Sequence, residues 1–212
     1  MQQSAFDTFM QDATAVWTDG GYLMVPLFIL AFMIYFYALE MLIFFRREEY
    51  NFVDENTWAG WIRDPSKGRG NIGEIIRYSQ DGVKTVRDVQ SRFEEIKTAH
   101  IPRVEHRIIF LSILVTVAPL MGLLGTVMGM LTTFKGLASS SGQLVDVVAK
   151  GISEALITTQ TGLVIAIPGY ILVYLLTRRR QEQAVFLEHV ESLTMQHFVH
   201  LPKNQREALA RG

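Results

Sequence analysis

Three apolar runs divide the chain, and nearly all of its charge lies between them. The first, Tyr22 to Phe45, reads YLMVPLFILAFMIYFYALEMLIFF. The second, Ile108 to Phe134, reads IIFLSILVTVAPLMGLLGTVMGMLTTF and contains no charged residue. The third, Gly151 to Leu176, reads GISEALITTQTGLVIAIPGYILVYLL and contains one carboxylate, Glu154. A hydrocarbon core of about 30 Å takes about 20 helical residues, so each run is long enough to span it. The pattern predicts an all-α membrane protein with transmembrane helices over 22–45, 108–134 and 151–176.

Between and beyond these runs the hydrophobic period remains helical. Phe6, Phe9, Met10, Ala13 and Trp17 fall at helical spacing within the segment 1–21, which predicts a short helix at the membrane surface. In the long segment 46–107, Pro65 and Lys67-Gly68-Arg69-Gly70 mark a turn. Val83, Val86, Val89, Phe93 and Ile96 then recur at three- and four-residue steps, one apolar stripe on an amphipathic helix. Pro102 is expected to open the next helix, which runs on into the second span. Residues 135–150 read as a short polar loop. After the third span, 177–212, Leu187, Val190, Leu193 and Phe198 continue a helical stripe that Pro202 is expected to end. The second and third membrane helices are therefore expected to extend into a cytoplasmic helical bundle.

Charge gives the orientation. No Lys or Arg precedes the first span, twelve lie from Arg46 to Arg107, two lie in 135–150, and six follow Leu176. By the positive-inside rule the N-terminus and the loop 135–150 are periplasmic, and 46–107 and 177–212 are cytoplasmic. The formal net charge of -1 argues against a nucleic-acid partner. There is no cysteine, so disulfide and thiolate chemistry are excluded. The N-terminus lacks the basic start of a cleavable signal peptide. None of the phosphate-loop, nucleophile-elbow or zinc-protease motifs is present, so no enzyme and no cofactor are expected.

The two later spans carry the chemistry. Gly122, Thr126, Gly129 and Thr133 lie on one helix face, and Gly125 with Gly129 forms a G-x-x-x-G pair that permits close helix approach. On the third span Glu154, Thr158 and Thr161 share a face. Ala155, Thr159, Gly162, Ala166 and Gly169 form a small-residue face beside it. For each Gly or Thr the plain alternative is helix packing, with hydroxyls bonding their own backbone. A carboxylate inside a membrane costs about 3 kcal/mol or more, which makes Glu154 a functional candidate; its alternative place is the solvated outer interface. Gln160 is expected to face a neighbouring helix, and Glu40 to sit near Arg46 and Arg47 at the inner headgroups. His197 and His200 at i,i+3 lack a third ligand, so no metal site is expected. Because the middle of both spans offers hydroxyls and no titratable group, a proton crossing there needs an acid from another chain.

APLMGLLGTVMGM, Ala118 to Met130, followed by GISEALITTQTGLVIAIP, Gly151 to Pro168, resembles the signature of the MotA/TolQ/ExbB proton-channel family. The Glu154-Ala155-Leu156 triplet and the three-span layout resemble its ExbB/TolQ branch more than the four-span MotA branch. These motifs cover about a third of the chain. The resemblance implies a homopentamer in the bacterial inner membrane around a dimer of ExbD/TolR-like single-span proteins, whose membrane aspartate binds and releases H+. It implies an ion path lined by Thr126 and Thr159, with Glu154 matching the family's glutamate and Thr158 and Thr161 nearby. It implies that proton motive force becomes motion and drives a TonB- or TolA-like protein in outer-membrane transport or integrity. The extra oxygens of Thr158, Gln160 and Thr161 leave Na+ as a second candidate ion. Two other readings stay open: a stator for another machine, such as gliding or defence, and a non-conducting scaffold whose faces of Gly122, Gly125, Gly129 and Gly162 only assemble helices.

Overall fold

The computed structural model describes residues 14, 16–47, 55–139 and 144–200. The described residues form helices α1 (Met24–Arg47), α2 (Glu55–Arg63), a 3-10 turn (Pro65–Lys67), α3 (Gly70–Gln80), α4 (Val86–Ser139) and α5 (Leu144–His200). The protein is all-helical, and no strand occurs among the described residues. Three helices are long and apolar enough to cross a membrane: Met24–Arg46, Val104–Ala138 and Val145–His200. Of the surface helix expected in 1–21, residues 16–19 are helical; Phe6, Phe9, Met10 and Ala13 lie outside the described residues.

Two expected boundaries are corrected. Pro102 does not open a helix, since α4 runs unbroken from Val86 to Ser139. A proline removes one amide from the ladder, here the one that would reach the Thr98 carbonyl, and the turns on both sides keep the remainder. The helix begins instead at Thr85. The Thr85 Oγ1 accepts from the Asp88 amide (3.2 Å), and the Asp88 carboxylate accepts from the amides of Thr85 (2.8 Å) and Lys84 (2.9 Å). That is a reciprocal cap, and those backbone bonds hold the Asp88 carboxyl below its usual value. Of the loop expected over 135–150, residues 135–139 and 144–150 are helical, because α4 continues to Ser139 and α5 begins at Leu144; 140–143 lie outside the described residues. Lys135 and Lys150 mark where the apolar run stops, which is not where the hydrogen-bond ladder stops.

The chain divides into two compact units. The first comprises residues 1–39 and 109–174 and is built by α1 with parts of α4 and α5. Within it Leu23, just before α1, is buried, and α1 buries Met24, Leu27, Ile34 and Ala38 and leaves Val25, Phe28, Ile29, Phe32, Phe36 and Leu39 exposed. Pro168 lies inside α5 and deprives the Val164 carbonyl of its amide. Next to it the Ile165 carbonyl accepts from the Tyr35 hydroxyl of α1 (3.2 Å). Such outside donors are how membrane helices tolerate proline.

The second unit comprises residues 40–108 and 175–212. Its core joins Trp58 and Ile62 of α2, Ile72, Ile75 and Ile76 of α3, Val89, Phe93 and Ile96 of α4, and Leu187, Val190 and Phe198 of α5. Val83 packs there from the turn before α4, which Gly82 makes with a left-handed backbone, φ 64°. Thus the stripes expected at 83–96 and 187–198 are two sides of one core. Burial of each such side chain contributes about 1.5–3 kcal/mol.

An ion pair ties α4 to α5 in this unit. Lys97 Nζ stands 2.6 Å from the Glu191 carboxylate, and only 9% of the Glu191 side chain is exposed. Burial works against the Lys97 charge, but the hydrogen bond and charge of Glu191, helped by Glu94, outweigh it and hold the ammonium above its ordinary value. This contribution is present below the ordinary lysine value and is lost as pH rises through the raised one. Lys97→Met is expected to cost about 2–3 kcal/mol, because it strands a buried carboxylate. The double variant K97M/E191L should recover most of that loss in thermal unfolding of the detergent-solubilised protein. A double variant as unstable as Lys97→Met would contradict it.

Candidate functional site

The antiparallel seam between α4 and α5 in the first unit is built by side chains that are missing or small. A Cβ on Gly162 would stand 2.7 Å from the Ala118 carbonyl oxygen and 3.2 Å from the Gly122 Cα. One on Gly122 would stand 3.0 Å from the Thr159 Cα, and one on Gly129 would stand 2.7 Å from the Gly151 oxygen. A Cβ on Gly125 would fall on the Thr158 hydroxyl, one on Gly151 on the Thr133 hydroxyl, and one on Gly136 on Val147. Gly169 faces Val115 at 2.9 Å in the same sense. Backbone-to-backbone approach of this kind is how helices associate in lipid, where no hydrophobic force drives them together.

The threonines of the seam differ in what they leave free. Thr158 is fully buried against Gly125 and donates to the carbonyls of Glu154 (3.1 Å) and Ala155 (3.0 Å). It is a packing residue within the chain and faces no open side. Thr133 is likewise buried and donates to the Gly129 carbonyl (2.9 Å). Thr159 is half-buried, and its hydroxyl reaches across the seam to the Gly122 carbonyl (3.0 Å) and back to Ala155 (3.2 Å). In an α-helix that Gly122 carbonyl also accepts from the amide of residue 126, so the Thr159 hydroxyl and the Thr126 backbone N–H share one acceptor. Thr126 is half-buried and donates to Leu123 (2.7 Å), and Thr161 donates to Ile157 (2.8 Å). A hydroxyl has one proton; once it is committed to a carbonyl, the oxygen presents only lone pairs to its open side. Thr126, Thr159 and Thr161 are therefore acceptors toward whatever approaches them.

Glu154 lies apart from this group. Its carboxylate rests against Gly21, in the turn that precedes α1, and a Cβ on Gly21 would coincide with it. Gly21 has φ 68°, a left-handed conformation that costs other residues about 1–2 kcal/mol. A Cβ on Gly20 beside it would meet the Met24 side chain (2.6 Å) and Ile157 of α5 (3.0 Å). The Gly20-Gly21 pair stood in the sequence without a stated role, because its partner is 133 positions away. Gly21→Ala is expected to destabilise the protein by about 1–2 kcal/mol, and by less when Glu154 is already alanine. Equal losses in the two backgrounds, read from thermal unfolding, would show that the carboxylate does not depend on this turn.

Other candidates take simpler places. Gln160 is exposed. Glu40 pairs with Arg107 (3.4 Å); both side chains are half-exposed, so the pair contributes little. Thr116 and Tyr170 share a hydroxyl contact of 3.2 Å, which the sequence did not signal because neither run pairs them by spacing. Among the described residues no cluster of three or more His, Asp or Glu is placed to hold a metal.

A family model described as the MotA/TolQ/ExbB proton channel family matches residues 73–189. Similar curated proteins include the biopolymer transport protein exbB1 of Vibrio cholerae, 39% identical over 80 residues, which is 37% of this chain and 35% of that protein. They also include the Tol-Pal system protein TolQ of Pseudomonas aeruginosa, 40% identical over 129 residues, 53% of each chain. The biopolymer transport protein ExbB of Salmonella typhimurium is 39% identical over 70 residues, 33% of this chain and 29% of its own length. The chain thus matches between about a third and a half of the length of these relatives.

Proposed function

Because the chain belongs to the MotA/TolQ/ExbB proton channel family, we propose that it is an inner-membrane proton-channel subunit of the ExbB/TolQ kind. The observation that carries this reading is the Thr159 hydroxyl donating across the seam to the Gly122 carbonyl, next to Thr126. Two half-buried oxygens are thereby fixed as acceptors on helices that carry no Asp, Glu, His, Lys or Arg from Ile108 to Phe134 or from Ala155 to Leu176. Acceptors of this kind receive a hydrogen bond from hydronium, from water or from a protonated carboxyl group, and they do not hold a proton themselves at neutral pH. The titrating acid belongs to a second protein, a single-span partner with an aspartate at mid-membrane. One charge crossing 100 mV supplies about 2.3 kcal/mol for each transfer.

In this reading several copies, five by the family's plan, surround a pair of ExbD/TolR-like partner helices, and proton flow moves the partner to do work on a TonB- or TolA-like protein. The N-terminus is periplasmic, and the second compact unit is cytoplasmic, as the Lys and Arg distribution supports. Thr126, Thr159 and Thr161 face the path, Thr158 holds the seam closed, and Glu154 stands at the outer end.

The test is to co-express the chain with such a partner, purify the complex from the membrane, and measure proton flux in proteoliposomes. Flux is expected with the wild-type partner and is expected to vanish when its membrane aspartate is asparagine. Flux that survives that change, or that requires sodium in the medium, would refute the proton-path reading. A complex that assembles and never conducts would favour the scaffold.

A further inference from the structure

In the second unit, the last turn of α2 and the end of α5 line an open cavity of about 300 Å3, at the lower end of small-ligand sites; Arg63 and His200 at its rim are exposed and His197 is half-buried. Its apolar side is Ala59, Ile62 and Leu193, and its polar side includes Arg63, His197 and His200. No carboxylate lines it among the described residues. Among those residues, too, no ion pair engages Arg63. His200 Nδ1 lies 3.0 Å from the Gln196 carbonyl; as donor there it leaves Nε2 for a ligand. Burial pushes the His197 imidazole below its usual value, and the charges of Arg63 and His200 push it further. Three nitrogen-bearing groups thus crowd together around empty space with no counter-charge.

We infer that this cavity binds a small phosphate monoester, with Arg63, His197 and His200 receiving the phosphate and Ala59, Ile62 and Leu193 receiving the organic part. A guanidinium supplies a two-pronged donor that fits phosphate oxygens. His197 adds one ring N–H, and His200, whose Nδ1 is taken by the Gln196 carbonyl, adds a donor through Nε2 when its ring is protonated. Bare phosphate would leave the apolar side unused, and a carboxylate has only two oxygens for three donor groups. None of the three residues touches the α4–α5 seam, so the site stands whether or not the proton-path reading does. The phosphate has two possible carriers of the same chemistry, a soluble metabolite and a phosphatidic acid headgroup.

The probe is phenyl phosphate, titrated calorimetrically into the full chain in nanodiscs. Saturable binding is expected, and Arg63→Gln and His197→Gln should each weaken it about tenfold or more. Arg69→Gln, an exposed cation outside the cavity, should leave it unchanged. Circular dichroism of each variant checks that the helices persist. Adding phosphatidic acid to the nanodisc separates the sources: competition with phenyl phosphate identifies a lipid, and its absence a soluble ligand. No saturable heat up to about 10 mM, or wild-type affinity in both cavity variants, overturns the site.

Discussion

Gly162→Val is expected to lower the unfolding temperature by roughly 10 °C and to deplete the protein from membranes. The Cβ that valine brings would lie 2.7 Å from the Ala118 oxygen, 3.2 Å from the Gly122 Cα and 3.4 Å from the Ala118 carbonyl carbon. All three are backbone atoms, so no rotamer change relieves the clash. The α4 and α5 backbones must separate, and the contacts of Gly122, Gly125 and Gly129 along the same seam loosen with them. Overpacking typically costs 1–3 kcal/mol, and about 3 kcal/mol or more is expected here because only backbone can yield. For a chain of this size each kcal/mol is about 2–4 °C. Gly60→Val is the control, since a Cβ at Gly60 meets nothing within 4 Å. A Gly162→Val protein that melts with the wild type would mean that the seam is not close-packed.

Thr159→Val is expected to reduce proton-driven activity about 100-fold, a barrier increase of about 2.7 kcal/mol, while the assembled complex survives. Valine keeps the shape and removes the oxygen. The Gly122 carbonyl, which loses the cross-seam donor at 3.0 Å, keeps its helical partner, so the stability loss should stay near 1 kcal/mol. The effect on conduction is larger because the missing group is the acceptor beside Thr126. Thr159→Ser restores the hydroxyl and should restore most of the flux. Thr158→Val separates packing from conduction: its oxygen is buried against Gly125, so it should cost stability and leave the flux per assembled complex largely intact. Equal flux in wild type and Thr159→Val, measured in proteoliposomes with the partner, would remove Thr159 from the path.

The sequence made the helices and their faces legible because the helical period is fixed by backbone geometry. Glycines and threonines at three- and four-residue steps had to share a side, and α4 and α5 do meet on Gly122, Gly125, Gly129 and Gly162. What one helix cannot reveal is which member of a face its neighbour covers. Thr158 and Thr159 are adjacent in the chain, yet one is sealed and the other half-open; the difference is set by where α4 lies. The hairpin 135–150 misled because lysines read as loop, although lysine is a good helix former. Pro102 misled because a proline that opens a helix and one carried inside a long helix look alike in sequence. The contact of Gly21 with Glu154 was hidden by sequence separation, as was the Tyr35 bond to Ile165.

The docking of α1 through Gly21 and Tyr35 sets a timetable for biogenesis. Its partners, Glu154 and Ile165, leave the ribosome some 130 residues after it does. At about 5–20 residues per second, that is a wait of roughly 6 to 26 seconds. During this interval α1 lacks both α5 contacts and has only those with α4, such as Tyr37 against Phe110 (5.4 Å between ring centroids). A chain that ends before residue 154 therefore holds α1 by its α4 contacts alone.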